Sequence, residues 1–314
     1  MTLTISYDPF QSNWYVGELY KYFHTYLINK NIKVFYTPIK DLAKKLNETS
    51  DWNNRYPSLF NIYNLIVTNN TSGKTFLHSL SDYAPFLLEH QSALDKLNIK
   101  AFAFCSNHTD TIIVKYNYLN INLIPSFYIL ENWNDHEYIR INKHNIKKNN
   151  CYFNGLGYGH RELYINYLKT NSFFTMKDKR NPNDYLSKPL YYENVSKYRY
   201  GLSLNGAAEI CYRDVEYFGL GVLCIREPLS IKTKDNLEPN IHYKSILDDF
   251  VTSNIFNPEK INEIIEYIID SINNITIEES EYILNNAKKW YENNAMPDKQ
   301  VDFLYQCLIE NDII

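Results

Sequence analysis

The sequence predicts an α/β protein made of two domains in series, each a mostly parallel sheet wound with helices. Short apolar runs closed by turn residues alternate with longer stretches at helical spacing, in both halves of the chain. A polar, basic stretch at 143–150 (KHNIKKNN) interrupts that alternation. The length, 314 residues, is long for one domain and comfortable for two, and 45% hydrophobic residues suffice for two cores.

The elements follow in order. Residues 3–7 alternate apolar and polar and end at Asp8-Pro9, a turn signal. Residues 14–28 carry apolar and aromatic side chains at helical spacing. A second strand at 32–36, a short helix at 39–46 and a third strand at 63–67 follow. Residues 77–97 read as helix despite Pro85, and 101–104 as a fourth strand. This βα alternation predicts a parallel, doubly wound sheet for residues 1–148.

The second half, 151–296, repeats the pattern. It opens with a strand at 151–153, then a helix at 162–169, a weak strand near Phe173-Phe174 and a helix near 190–196. Residues 200–204 form a short apolar strand, and 222–225 another. Amphipathic helices are expected at 260–272 and 278–293, and a terminal one at 299–310 that packs back on the first domain. No repeat of fixed period is visible. The fold expectation is thus two Rossmann-like domains.

Composition narrows the function classes. Lys plus Arg is 32 and Asp plus Glu is 36, a net charge of −4, which argues against broad binding to nucleic acid. Charged residues at 22% argue against a disordered chain. The five cysteines, at 105, 151, 211, 224 and 307, contain no Cys-x-x-Cys pair, so a zinc site or disulfide framework is not expected. A reducing, cytoplasmic setting is the expectation; residues 1–7 lack a signal-peptide profile. No run approaches 18 apolar residues, so no transmembrane segment is expected, while peripheral membrane contact stays open.

Two constellations carry chemistry. Phe153-Asn154-Gly155-Leu156-Gly157-Tyr158-Gly159-His160-Arg161 follows a strand and opens a helix. Glycines let backbone N–H groups approach a phosphate, and a helix N-terminus favours the anion. The spacing is Gly-x-Gly-x-Gly with no clear acidic partner, so a nicotinamide-dinucleotide site is a poor reading. The plain alternative is a turn followed by a surface Arg161. The second constellation runs from Tyr200 through Asn205-Gly206 to Arg213, Glu216 and Ile225. It reads as strand, glycine turn, helix, strand. Arg213 and Glu216 lie three apart and share a helical face. They suit a diphosphate and ribose hydroxyls, or alternatively form a surface ion pair worth only about 0.3–0.5 kcal/mol.

The stretch 200–225 resembles the donor segment of GT-B glycosyltransferases, especially the exostosin-like and CAP10-like groups. Their pattern is an aromatic residue, a hydrophobic strand, glycine, Arg-x-x-Glu, a small turn and an apolar strand. Asn240-Ile241-His242-Tyr243 resembles their downstream His-Tyr segment. Ala207 to Cys211 departs from it, where relatives carry more glycine and serine. The resemblance implies two Rossmann-like domains facing across a cleft, with residues 151–296 binding a nucleotide-diphosphate sugar. It implies that Gly157, Arg161, Asn205, Gly206, Arg213 and Glu216 contact that donor, with Arg161 and Arg213 on the diphosphate and Glu216 on the ribose. It implies transfer of a hexose or pentose to a hydroxyl of a glycan or glycoconjugate, with neither cofactor nor metal.

An inverting transfer needs a base to take the acceptor proton. Asp8, after the first strand, fits by position; so do Asp110 and His108 after the fourth, and Asp82 fits less well. Each could equally be a turn or capping residue, and a retaining enzyme needs none of them. Two other readings stay beside this one: transfer to modified DNA bases, for which only 143–148 and 177–180 offer basic residues, and nucleotide or sugar binding without turnover. Thr71-Ser72-Gly73-Lys74-Thr75 looks like the end of a P-loop, but Thr68 stands where the earlier glycine belongs, which excludes an ATPase. Asp248-Asp249 is not an Asp-x-Asp metal motif.

Overall fold

The computed structural model describes residues 1–8, 16–48, 58–61, 63–80, 84–105, 109–126, 134–143, 147–157, 160–205, 210–245 and 257–314. The chain divides into two compact α/β units. Unit 1 comprises Met1–Trp133, Ser230–Asn236 and Asn294–Ile314; unit 2 comprises Asn134–Leu229 and Leu237–Asn293.

Unit 1 holds six strands: β1 (Thr2–Tyr7), β2 (Lys33–Pro38), β3 (Asn64–Asn69), β4 (Thr75–Ser79), β5 (Ile99–Phe104) and β6 (Asn122–Pro125). Its helices are α1 (Val16–Asn29), α2 (Ile39–Lys45), α3 (Gln91–Leu97) and α4 (Thr109–Lys115). The strand order is β2-β1-β3-β4-β5-β6. One strand breaks the expected parallel pattern: β3 runs antiparallel to both β1 and β4. The reason is the short link between β3 and β4, which permits a hairpin and no crossover. That link contains the P-loop-like run. Asn69 Oδ1 accepts from the N–H of Thr71 and of Ser72, and Gly73 takes φ +69°, which a side chain would strain.

The expected single helix over 77–97 is instead β4, a 3-10 turn at Ala84–Glu89 and α3. All five residues of β4 are buried. Such a segment offers no helical face, only the continuous burial of a central strand.

Unit 2 holds β7 (Lys148–Gly155), β8 (Phe174–Asp178), β9 (Tyr198–Ser203), β10 (Leu223–Arg226) and β11 (Lys244–Ser245), all parallel, in the order β11-β10-β9-β7-β8. Its helices are α5 (Asn134–Asn142), α6 (His160–Leu168), α7 (Lys188–Val195), α8 (Tyr212–Leu220), α9 (Ile261–Asn273) and α10 (Ile277–Trp290). The isoleucines of α9 at 261, 264, 265, 268 and 272 recur at helical spacing and are all buried. They join Phe153, Leu202 and Ile225 from the strands and Ile165 and Leu168 from α6 in one core. Helix α8 ends at Gly221, in the left-handed region at φ +62°.

A π-helical turn at Tyr291–Ala295 leads to α11 (Pro297–Glu310). This terminal helix packs on α1 within unit 1. Tyr26 donates to Asp302 at 2.6 Å, and Asn69 Nδ2 donates to the Ile313 carbonyl at 2.7 Å. The chain enters unit 2 at Asn134, ahead of the 143–150 stretch read as a linker. Helix α5 packs on α7 and α8, with Ile139 and Asp135 buried. Among the described residues no helix is long and apolar enough to cross a membrane.

Candidate functional site

The sheet order of unit 2 singles out one place. From β7 the chain moves to β8 on one side, then crosses back to β9 on the other. In open parallel sheets a crevice forms beyond the carboxyl ends of the two strands where the order reverses, and ligands bind there. For unit 2 those ends are Asn154-Gly155 of β7 and Ser203, leading into Leu204-Asn205, of β9.

Two buried arginines grip those ends. Arg161, in the first turn of α6, donates from Nε to the carbonyls of Leu204 (3.1 Å) and Asn205 (2.8 Å), and from Nη2 to Leu204 (2.6 Å). Arg213, in the first turn of α8, donates from Nε and Nη2 to the Asn154 carbonyl at 3.2 and 2.9 Å. Its guanidinium lies 4.5 Å from the Phe153 ring centre, a cation–π distance. Gly155 makes this approach geometrically feasible: a Cβ there would collide with Arg213 Nη2 and crowd Phe153. Arg213 thus bonds a carbonyl, and a thiol at 3.6 Å through Nη1, rather than a carboxylate. A buried guanidinium so held can strengthen an anion's binding.

Behind this edge lies a buried polar group that the motif reading did not single out. Asp214 and Arg226 form a fully buried ion pair at 2.7 Å. Asp214 also accepts the N–H of Cys211 at 2.7 Å, so its carboxylate caps the start of α8. Arg226 donates to the Glu227 carbonyl through Nε (2.9 Å) and to Asn205 Oδ1 through Nη2 (2.8 Å). Tyr243, from the segment read as His-Tyr, is buried with its ring centre 5.6 Å from the Arg226 guanidinium. Its hydroxyl accepts the Leu229 N–H.

Gly157 sits on the β8 side. Its N–H donates to Asp178 Oδ1 at 3.2 Å. Asp178 closes β8 and is the acidic residue that the sequence reading did not find, because the strand was placed at Phe173-Phe174, before it began in earnest. Its carboxylate is already engaged by the Arg180 N–H and side chain (2.8–3.3 Å), and Arg180 first of all holds it down at about 2. Asp178 therefore ties the glycine turn down.

Glu216 lies a turn beyond Arg213 and faces different neighbours. Its carboxylate accepts the hydroxyls of Tyr191 (2.5 Å) and Tyr192 (3.0 Å) from α7. The alternative reading, a surface ion pair between Arg213 and Glu216, is therefore not what either side chain makes, since both are buried with other partners. Beside Glu216, fully buried Asp135 meets Lys188 at 2.9 Å. Burial pushes the Asp135 carboxyl up to about 6; Lys188 opposes the rise and Glu216 adds to it. The structure thus gathers Arg161, Asn205 and Arg213 at the strand ends, with Gly157 on one flank and Glu216 deeper. Gly206 lies outside the described residues, as do His108 and Asp82.

The candidate bases lie in unit 1. Asp8 follows directly on β1, is buried, and its charge acts on the Tyr36 hydroxyl. Asp110 is exposed in the first turn of α4 and pairs with Lys232 at 2.6 Å. A buried chain that the sequence reading missed links α1, β4 and the residue after β6. Tyr20 donates its one proton to the Tyr63 carbonyl at 2.8 Å, so its oxygen accepts from His78 Nδ1–H at 3.0 Å. His78 Nε2 is then the acceptor for the Ser126 hydroxyl at 3.1 Å. The imidazole is thereby fixed as the neutral Nδ1–H form, and burial pushes its pKa down to about 3. A lone His in an apolar strand carried no signal of these partners. Among the described residues, no three or more His, Cys, Asp or Glu side chains group closely enough to hold a metal ion.

No protein-family model and no curated protein matches the chain. Among solved structures it is similar to a glycosyltransferase from Rickettsia africae ESF-5, at 10% identity over 99% of this chain and 98% of that one, with a TM-score of 0.44. It is similar at 9% identity to the pneumococcal O-GlcNAc transferase GtfA in complex with UDP and GlcNAc, over 71% of this chain and 47% of that one, with a TM-score of 0.38. The chain in the GtfA/B complex is covered to the same extent, with a TM-score of 0.39.

Proposed function

We propose that this protein transfers a sugar from a nucleoside-diphosphate sugar to a hydroxyl acceptor, with unit 2 holding the donor. The observation that carries this is the convergence of Arg161, Arg213 and Asn205 on the reversal point of a parallel sheet. Two guanidiniums there suit a diphosphate, and they stabilise it further as it departs with a growing negative charge. The arginines supply the positive charge that a metal provides in other transferases. In this reading the donor also contacts Gly157 and Gly206. Glu216 takes the ribose in this reading; its carboxylate already carries two tyrosine hydroxyls, so a ribose hydroxyl must use its remaining lone pairs. The exostosin-like and CAP10-like affinity rests on the residues of 200–225 and 240–243.

Asp8 is the favoured base for an inverting transfer, with Asp110 second, since Asp110 is solvent-exposed and already ion-paired. The acceptor proposed is a glycan or glycoconjugate.

Calorimetry against uridine, guanosine and cytidine nucleotide sugars tests the donor. Arg213→Ala should weaken both the nucleotide sugar and the free nucleoside diphosphate, and Glu216→Gln should weaken the nucleoside as well. Unchanged affinity in both variants would refute the donor assignment. Donor hydrolysis measured beside binding separates an enzyme from a binding protein. Asp8→Asn should lower turnover by about 10²–10⁴-fold with donor affinity intact.

A further inference from the structure

Resting on the reading of a diphosphate at the reversal point, we propose that Asn205 presents its side-chain N–H₂ as a donor to that anion, and that Arg226 is the positioning residue that orients it. Hydrogen-bond polarity fixes the orientation of the amide. Arginine has donors and no acceptor, so the Asn205 atom 2.8 Å from Arg226 Nη2 must be the amide oxygen. The oxygen is fixed inward. The nitrogen therefore points the other way, and with the described residues Nδ2 makes no hydrogen bond.

Asn205 is gripped twice. Arg226 holds its side chain and Arg161 holds its carbonyl, so neither can swing. Arg226 itself is anchored by Asp214 at 2.7 Å and by the Glu227 carbonyl at 2.9 Å, and it is almost wholly buried. Asn205 is only half-buried, two residues beyond the end of β9, where a ligand of the crevice would lie. A rigidly held donor there selects a ligand atom that accepts, such as a phosphate oxygen, over one that donates, such as a sugar hydroxyl proton.

The prediction separates binding from folding because one substitution moves them in opposite directions. Asn205→Asp keeps the oxygen that Arg226 needs and gives that contact a charge, but replaces the donor with a second acceptor. Asn205→Ala removes both. Thermal melting of the full chain should rank Asp equal to or above wild type, with Ala below. Calorimetric affinity for inorganic pyrophosphate should rank wild type, then Ala, then Asp, with Asp weaker than wild type by about ten- to a hundredfold.

Uridine and guanosine diphosphates are titrated in parallel. If pyrophosphate binds and Asn205→Asp abolishes it, while neither nucleoside diphosphate binds more tightly than pyrophosphate, the donor reading fails and this inference stands. If Asn205→Asp binds pyrophosphate within about twofold of wild type, or wild type does not bind it at millimolar concentration, the inference is overturned. A double-mutant cycle tests Arg226. Lysine is a point charge that can pair with Asp214 but lacks the planar fork that also reaches Asn205. Arg226→Lys should weaken pyrophosphate in the wild-type background and leave it unchanged in the Asn205→Ala background. Equal losses in both backgrounds would reduce Arg226 to a purely structural part.

Discussion

The neutral state of His78 makes unit 1 sensitive to acid, by an amount that the structure fixes in sign. The folded chain refuses a proton at His78 until about pH 3, whereas the unfolded chain accepts one near 6.5. Between those values the unfolded state binds more protons, so stability falls as pH falls. The full effect is present above pH 7 and is lost progressively below 6.5. At pH 5 the loss is about 2 kcal/mol, at pH 4 about 3, and the ceiling is about 5. The perturbation is His78→Asn, whose amide can still donate towards Tyr20 from the Nδ1 position, gives up the Ser126 contact made by Nε2, and carries no titratable group. The variant starts less stable because it is smaller in a packed site; what matters is its slope. Urea unfolding at pH 7 and pH 5 should show the wild type losing about 2 kcal/mol more than the variant, and hydrogen exchange of the β4 amides should assign that loss to unit 1. Asp135 titrates in both proteins alike and cancels from the comparison. If the two proteins lose the same stability to within about 0.5 kcal/mol, His78 is not held neutral and the proton accounting is wrong.

Three further outcomes are expected. Arg226→Met leaves Asp214 charged and fully buried, so it should cost about 3–5 kcal/mol by thermal or chemical melting, and adding Asp214→Leu should recover much of that loss. Gly155→Ala should push the Arg213 guanidinium off the Asn154 carbonyl, lowering nucleoside-diphosphate affinity by about tenfold in calorimetry while the urea midpoint falls. Asp135 has its folded pKa raised to about 6 from an ordinary 3.8, so the stability it contributes is fully present below pH 3.8 and is lost as pH rises through 6, to a total of about 3 kcal/mol; Asp135→Asn should flatten that part of the stability profile.

The central strands of unit 2, β7, β9 and β10, were legible because their carboxyl halves are continuously buried and separated by helices, the pattern that apolar runs reveal directly; β8 alternates and gave only a weak signal, and the two-residue β11 gave none. The isoleucine stripe of α9 was legible from its helical spacing. Unit 1 was harder: the sequence reading gives neither α4 nor β6, and it places most of β4 within a helix. Residues 75–79 are buried throughout, and a continuous apolar run does not distinguish a central strand from a buried helix. The hairpin before it depended on Asn69 and Gly73, whose role shows only once β3 and β4 are paired. The path of the chain between the units was not legible either. Residues 230–236 return to unit 1 through contacts such as Thr109 with the Lys232 backbone, and contacts so distant in sequence leave no local pattern.

The Arg-x-x-Glu pair shows what spacing can and cannot establish. Three residues on a helix share a face, but a face is not a neighbourhood. The first turn of α8 reaches the end of β7, so Arg213 meets a strand carbonyl. One turn later Glu216 meets two tyrosine hydroxyls of α7. The charge that closes the network is Asp214, between them in sequence and opposite in direction. Its partner Arg226 stands at the end of the next strand, which is how a parallel βαβ unit brings a helix start beside a strand end. That juxtaposition, rather than the motif, aims Asn205. A sequence offers Asn205-Gly206 only as a turn. The fold adds a buried guanidinium behind it, and hydrogen-bond polarity then determines which end of the amide a ligand can meet.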